Sequence, residues 1–153
     1  MQVKRKNDKA QHRKIRNNGK HMILIEEIKL NNGLILKIFD LSRSIAEDTV
    51  KVEIFFQANI FLKESFFANH EDYTLVKSIM GEELAYEHRL ERTFVKKENE
   101  DLTRNELINT FRNNSLEYLS NANFAQKMAL SKLREIKSDP YKYRSRIHSD
   151  ANK

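Results

Sequence analysis

The chain has 153 residues, a formal net charge of +6 and no cysteine. This length suits one domain, and 39% apolar residues with one proline and three glycines favour a packed core over a disordered chain. The lack of cysteine excludes a disulfide scaffold, a thiolate metal site and a cysteine nucleophile, and it favours a cytoplasmic location. No apolar run approaches the roughly 18 residues that cross a bilayer, so we expect a soluble protein without a membrane partner.

The positive charge is concentrated in residues 1–20, which hold eight Lys or Arg and a single acidic side chain. Its two basic clusters, KRK and RKIR, are typical of segments that neutralise phosphates in RNA or DNA. No aromatic residue lies there, so the segment would contact the backbone without stacking on bases. A solvated tail without a partner is the alternative interpretation. The candidate polyanion-binding residues are Lys4, Arg5, Lys6, Arg13, Lys14 and Arg16.

Three segments after the arm predict strands. Residues 22–30 and 34–41 are apolar runs on either side of Asn31-Asn32-Gly33, which tolerates the positive φ of a tight turn, so we expect a hairpin. Residues 50–63 alternate apolar and polar side chains, interrupted by Phe55 and Phe61. This pattern predicts a long strand buried on the face of its even-numbered residues.

A fourth strand is predicted over residues 83–97, where the alternation returns. Its parity places Tyr86, His88 and Leu90 on the apolar face. A buried imidazole can act as acid, base or ligand near neutral pH, which makes Tyr86 and His88 a possible pocket. The competing interpretation is a neutral core histidine bonded to a neighbour, and it is favoured because no second ligand or nucleophile is spaced to join it.

Helical spacing predicts the remaining elements. A short helix between the third and fourth strands has Asn69 as its N-cap and Gly81 as its stop. From Glu98 onward the period is helical and predicts a second helix, with Thr103 and Glu106 as a capping box and with Leu107, Phe111 and Tyr118 on one buried stripe. A third follows the polar break at 120–123, buries Ala125, Met128, Ala129, Leu133 and Ile136, and ends before Pro140.

These elements predict an α+β fold. The sheet is four-stranded and mainly antiparallel, with a short helix inserted before the last strand, and two C-terminal helices cover one face. The expected organisation is a flexible basic arm (1–20), one α+β domain (21–137) and a basic C-terminal tail (138–153). With only three glycines the chain has no phosphate-cradling loop, nucleophile elbow or dinucleotide fingerprint, and it has no zinc-protease motif. We therefore expect no catalytic residue, cofactor or metal.

The segment FDLSRSI, residues 39–45, resembles the D-x-S-x-x-G signature of PilZ domains, which bind cyclic di-GMP. Asp40 and Ser42 match, whereas Ile45 stands at the glycine position. The upstream Arg-x-x-x-Arg element of that family has a counterpart one residue shorter in Arg13 and Arg16. The resemblance implies a small β-barrel that binds a cyclic dinucleotide.

The function expected from the sequence is a non-enzymatic binding or interaction module whose basic termini contact a polyanion such as RNA or DNA. One alternative is a protein–protein interaction domain with incidental tails. Another is a small-ligand binder or enzyme with a pocket near His88, of which a degenerate PilZ-like domain is one form.

Overall fold

The structure, a computed structural model, describes residues 14–17 and 20–143. Its strands are β1 (Lys14–Asn17), β2 (Lys20–Lys29), β3 (Ile35–Asp40), β4 (Arg43–Ser44), β5 (Thr49–Phe61) and β6 (Glu83–Lys96). Its helices are α1 (His70–Met80), α2 (Glu100–Ser120) and α3 (Phe124–Ser138). The α+β fold class is therefore confirmed. None of the helices in these ranges is long and apolar enough to span a bilayer.

All strand pairs are antiparallel, and the strands follow one another across the sheet in chain order. The short β4 pairs with β5 beside β3, so the order is β1, β2, β3 with β4, β5, β6. The predicted hairpin is β2 and β3, with Gly33 at φ 90° in its turn. Asn32 donates from Nδ2 to the carbonyl of Leu119 at 2.7 Å, which ties this turn to the end of α2.

The long strand β5 is central, and its predicted register is confirmed. Every even-numbered residue from Val50 to Ile60 is buried, in one apolar cluster with side chains of β3, β6 and all three helices. At its middle the rings of Phe56 and Phe111 stack with centroids 3.7 Å apart. The even-numbered residues of β5 thus form the helix-facing side of the sheet. This register is strongly specified, because a shift of one residue would expose all of these apolar side chains.

The helix α1 has the predicted ends. The Asn69 side chain accepts a hydrogen bond from the backbone N–H of Asp72 at 2.8 Å, and Gly81 follows the last turn at φ 83°. The helical period predicted from Glu98 onward agrees with α2, which begins at Glu100, but the predicted capping box is wrong, because Thr103 is a buried residue within the helix. A 3-10 turn at 97–99 leads directly into the helix. Thr103 therefore lies beyond the first residues of the helix, where a side-chain cap has no free backbone N–H group to bind.

The buried stripes of α2 and α3 differ from the sequence expectation at several positions, and Ala125 and Met128 are half-buried rather than buried. Leu107 and Phe111 are buried as predicted, but Tyr118 is 56% exposed. Its ring packs edge-on against Phe124, whose centroid is 5.3 Å away. Phe124 is buried, so it extends the α3 stripe by one residue toward the N-terminus. Tyr118 therefore shields the junction between the two helices from outside the core.

The boundaries of the predicted arm and tail need correction. Residues 14–17, assigned to a flexible arm, form β1 and pair with β2. Residues 140–143, assigned to the tail, are helical, and Tyr143 is 5% exposed within the main core cluster. Both segments gain order from a neighbouring element in the chain, since β1 pairs with β2, which begins three residues later, and residues 140–143 contact α3 directly before them. The remainder of the arm and of the tail lies outside the described residues.

The contact between 140–143 and α3 is charged. The carboxylate of Glu135 accepts hydrogen bonds from the Tyr143 hydroxyl at 2.6 Å, from Lys142 Nζ at 3.3 Å and from Lys132 Nζ at 3.4 Å. The Tyr143 bond is the largest cause, followed by the two lysines, and together they lower the pKa of Glu135 to about 2. The ionised form of Glu135 is therefore the one that holds this segment.

This contact predicts a pH-dependent difference between the wild type and Glu135→Gln. Since the pKa of Glu135 falls from 4.5 on folding, its stabilisation is fully present above about pH 4.5 and is lost as the pH falls toward about 2. Solvent screening at this partly exposed carboxylate keeps the difference to about 1 kcal/mol or less. Urea unfolding between pH 6 and 2 should show the two proteins converging with acid, and a pH-independent difference would contradict the assignment.

Candidate functional site

The predicted polyanion-binding residues divide into two groups. Lys14 and Arg16 lie two positions apart in β1, where they pair with Ile23 and His21 of β2. The other four, Lys4, Arg5, Lys6 and Arg13, lie outside the described residues. The structure therefore links the basic segment to the sheet at its β1 edge, and the register of β1 defines where the segment joins it.

The charge of the folded body opposes that of the arm. Residues 21–143 hold 17 Lys or Arg and 20 Asp or Glu, a net charge of −3, against +7 for residues 1–20. A polyanion would consequently gain little from the body and would be attracted mainly to the N-terminal segment. This separation matters for specificity, because a uniformly basic surface would bind a nucleic acid in many orientations.

The buried position predicted for His88 is wrong, because its side chain is exposed. β6 is an edge strand, and the helix that covers the sheet leaves this part of its inner face open. The imidazole lies at the rim of the core, with its centroid 5.9 Å from that of Phe111 and 6.4 Å from that of Phe56. A pocket at this position stays a prediction.

Tyr86, the second residue of the possible pocket, is half-buried. Its ring meets Phe124 edge-on with centroids 5.7 Å apart. Burial and, to a lesser degree, the neighbouring Tyr118 raise the pKa of its hydroxyl, so the group stays protonated at neutral pH. Tyr86 thus joins β6 to the junction of α2 and α3, a packing role.

The residues that resemble the PilZ signature are engaged within the fold. An Asp40 carboxylate oxygen accepts from the backbone N–H of Ser42 at 2.8 Å, and the Ser42 hydroxyl accepts from the backbone N–H of Glu53 at 3.2 Å. The other oxygen of Asp40 lies 2.8 Å from Nε of Arg104 on α2. Burial would lower the pKa of Arg104, but Asp40, Asp101 and Glu100 outweigh it and raise it. These contacts connect the end of β3 to α2, and the strands described form an open sheet.

A concave site exists on the face of the sheet opposite the three described helices. A pocket of about 240 Å³ opens there between the hairpin turn and the ends of β5 and β6. Two exposed apolar side chains border it, Ile35 (48% exposed) and Phe61 (64% exposed). Polar groups complete the lining: Lys37, Gln57, Asn59 and Glu83. Its apolar wall and amide groups suit a small polar ligand or a peptide side chain.

The same outer face carries a second apolar cluster farther along the strands, with Met22, Phe39, Leu41 and Phe55 buried. The guanidinium of Arg89 lies 5.0 Å from the Phe55 ring centroid and pairs with the buried carboxylate of Glu53 at 3.4 Å. Phe55 and Phe61 are the two residues that interrupt the alternation of β5. That interruption was the sequence signal for an outer face with its own apolar groups.

A further ion pair joins β2 to α2 on the helix side of the sheet. A β-bulge between Leu24 and Glu26 turns Glu26 toward α2, where its carboxylate binds the guanidinium of Arg112. Both side chains are 38% exposed. Glu26 is therefore the acidic residue that faces the helices within an otherwise apolar run, and it pairs with α2 rather than with a ligand.

Among the described residues, no group of three or more His, Asp or Glu side chains is arranged to hold a metal ion. Comparison of the chain with protein-family models, with curated proteins and with solved structures found no match.

Proposed function

We propose that the protein is a binding module that attaches to the phosphate backbone of RNA or DNA through its basic N-terminal segment. The observation that carries the proposal is the separation of charge, +7 in residues 1–20 against −3 in residues 21–143. Each Lys or Arg that neutralises a phosphate releases counterions, and this gain does not depend on base sequence. The folded body acts as the carrier of the segment.

The join at β1 supports this proposal. Lys14 and Arg16 lie in a strand paired with β2, so these two basic residues of the segment have backbone positions set by the sheet. A backbone that is already ordered loses less entropy when it binds than a free chain does. These two positions should therefore contribute at least as much affinity per charge as the residues that precede them.

The test is a nucleic-acid binding measurement with charge-matched variants. In the arm variant, glutamine replaces Lys4, Arg5, Lys6, Arg13, Lys14 and Arg16. In the control variant, glutamine replaces six exposed basic residues of the body: Lys29, Arg43, Lys63, Lys97, Lys127 and Arg134. Both lose six charges. The arm variant should bind duplex DNA and RNA at least about 100-fold more weakly, and the control should stay within several-fold of the wild type.

Equal losses in the two variants would contradict the proposal, because they would show that total charge alone governs binding. Absence of nucleic-acid binding by the wild type would also overturn it. The alternatives of a protein partner and of a small ligand would then take precedence. The pocket bordered by Ile35 and Phe61 is a concave surface available to either.

A further inference from the structure

The strand β6 forms an edge of the sheet. It spans 14 residues without proline or glycine, and in the described part of the chain it pairs with β5 alone. An edge of this length presents unpaired backbone N–H and C=O groups that a further strand can pair with. Natural edges avoid such pairing with charged side chains, so the charges on β6 determine which partner it accepts.

The charges of β6 alternate in sign along one face, with Glu87, Arg89 and Glu91 at successive outward positions. In an antiparallel pair of identical strands, residues equally far from the twofold axis face each other. An axis at His88 places Glu87 opposite Arg89 twice. An axis at Arg89 would instead place Glu87 opposite Glu91 and Arg89 opposite itself, which like charges disfavour.

An axis at Leu90 is also complementary, because it places Arg89 opposite Glu91. The backbone of β6 favours the axis at His88 over this second one. The regular register ends at Arg92, because a bulge follows and Phe94 has the left-handed φ of 57°. An axis at His88 allows a regular ladder from Leu84 to Arg92, nine residues in each copy. An axis at Leu90 allows only five before the bulge interrupts it.

The apolar face of β6 fits the same arrangement. Tyr86 and Leu90 are half-buried at the edge of the core, and His88 between them is exposed. With the axis at His88, Tyr86 of one copy faces Leu90 of the other, twice. Cross-strand pairs of an aromatic and an aliphatic side chain stabilise antiparallel strands. A second copy would therefore bury the apolar side chains of β6 that α2 leaves partly exposed.

From the length of the open edge, its self-complementary charges and its half-buried apolar residues, we propose that two copies of the chain pair through residues 84–92 of β6. The strands are antiparallel about a twofold axis at His88, and the two sheets become continuous. Since β1 is the edge opposite β6, the dimer carries its two basic segments on its two outer edges. The proposal does not depend on what those segments bind.

The test is the concentration dependence of mass in solution, measured by sedimentation for the full chain and two variants. Glu87→Arg places arginine opposite Arg89 in both cross-strand pairs and should raise the dimer dissociation constant about tenfold or more. Glu91→Arg makes the same charge change on the same face, but with the axis at His88 it faces Ala85, so its dissociation constant should stay within about threefold. Circular dichroism checks that both variants fold.

A wild type that stays monomeric at the highest soluble concentration would overturn the proposal. So would equal dissociation constants for the two variants, or weakening by Glu91→Arg alone, which would indicate an axis at Leu90. Amide hydrogen exchange gives an independent reading. Dimer formation should slow exchange within residues 84–92, and a dimer without this slowing would show that the copies meet at another surface.

Discussion

Replacement of Phe111 by alanine is expected to lower the free energy of unfolding by about 3–5 kcal/mol. Phe111 is 2% exposed and stacks on Phe56, which is fully buried at the centre of β5. The stack joins α2 to the middle of the sheet, so neighbouring backbone cannot move in to fill the space. The loss combines the transfer of the removed ring atoms and the cavity that remains.

The measurement is urea denaturation, with Phe94→Ala as the matched control. Both substitutions remove a phenyl ring, but Phe94 is 76% exposed and lies outside the core cluster. The control should change the free energy of unfolding by about 0.5 kcal/mol or less. A cost below about 1 kcal/mol for Phe111→Ala would contradict the packing of α2 against β5.

The fold was predictable from sequence where local signals and tertiary burial agree. β5 alternates over six even-numbered apolar residues, so its register followed from periodicity alone. The ends of α1 followed from Asn69 and Gly81, whose backbone preferences act within a few residues. Short-range chemistry decides such features, and the sequence displays it directly.

The errors lie where pairing or packing with another element decides the outcome. β1 has only Ile15 as an apolar residue among four, and its order depends on pairing with β2. The position of His88 in the alternation of β6 correctly predicted the sheet face on which it lies. The alternation does not show how far a helix extends over that face. Similarly, Thr103 and Glu106 match a capping box, yet the turn before Glu100 starts the helix one turn earlier.

The candidate surfaces were less accessible to sequence reasoning than the fold. Phe61 was visible as an interruption in β5, but its place in a pocket with Ile35 depends on three strands being adjacent. Asp40 and Ser42 were visible as part of a ligand-binding signature. Their contacts with Arg104 and Glu53 indicate that the same short spacing can serve a structural turn.

The affinity of the full chain for duplex DNA is expected to fall about 10³-fold between 50 and 200 mM salt. This value follows if the six candidate polyanion-binding residues of the N-terminal segment each neutralise one phosphate, which gives a slope of about −5 in log K against log salt. Affinities for unrelated sequences should be nearly equal, because backbone contacts carry no base information. Fluorescence anisotropy at several salt concentrations provides the slope.

The contribution of β1 can be separated from that of the preceding residues. Replacing Lys14 and Arg16 with glutamine should reduce the magnitude of the slope by about 2 if both contact phosphates. Replacing Lys4 and Arg5 instead is the matched control within the same segment. Because β1 is paired with β2, its two positions would contact phosphates without ordering a free chain. The affinity lost at one salt concentration should therefore be at least as large as in the control. An unchanged slope in the β1 variant would show that the nucleic acid does not reach the sheet edge.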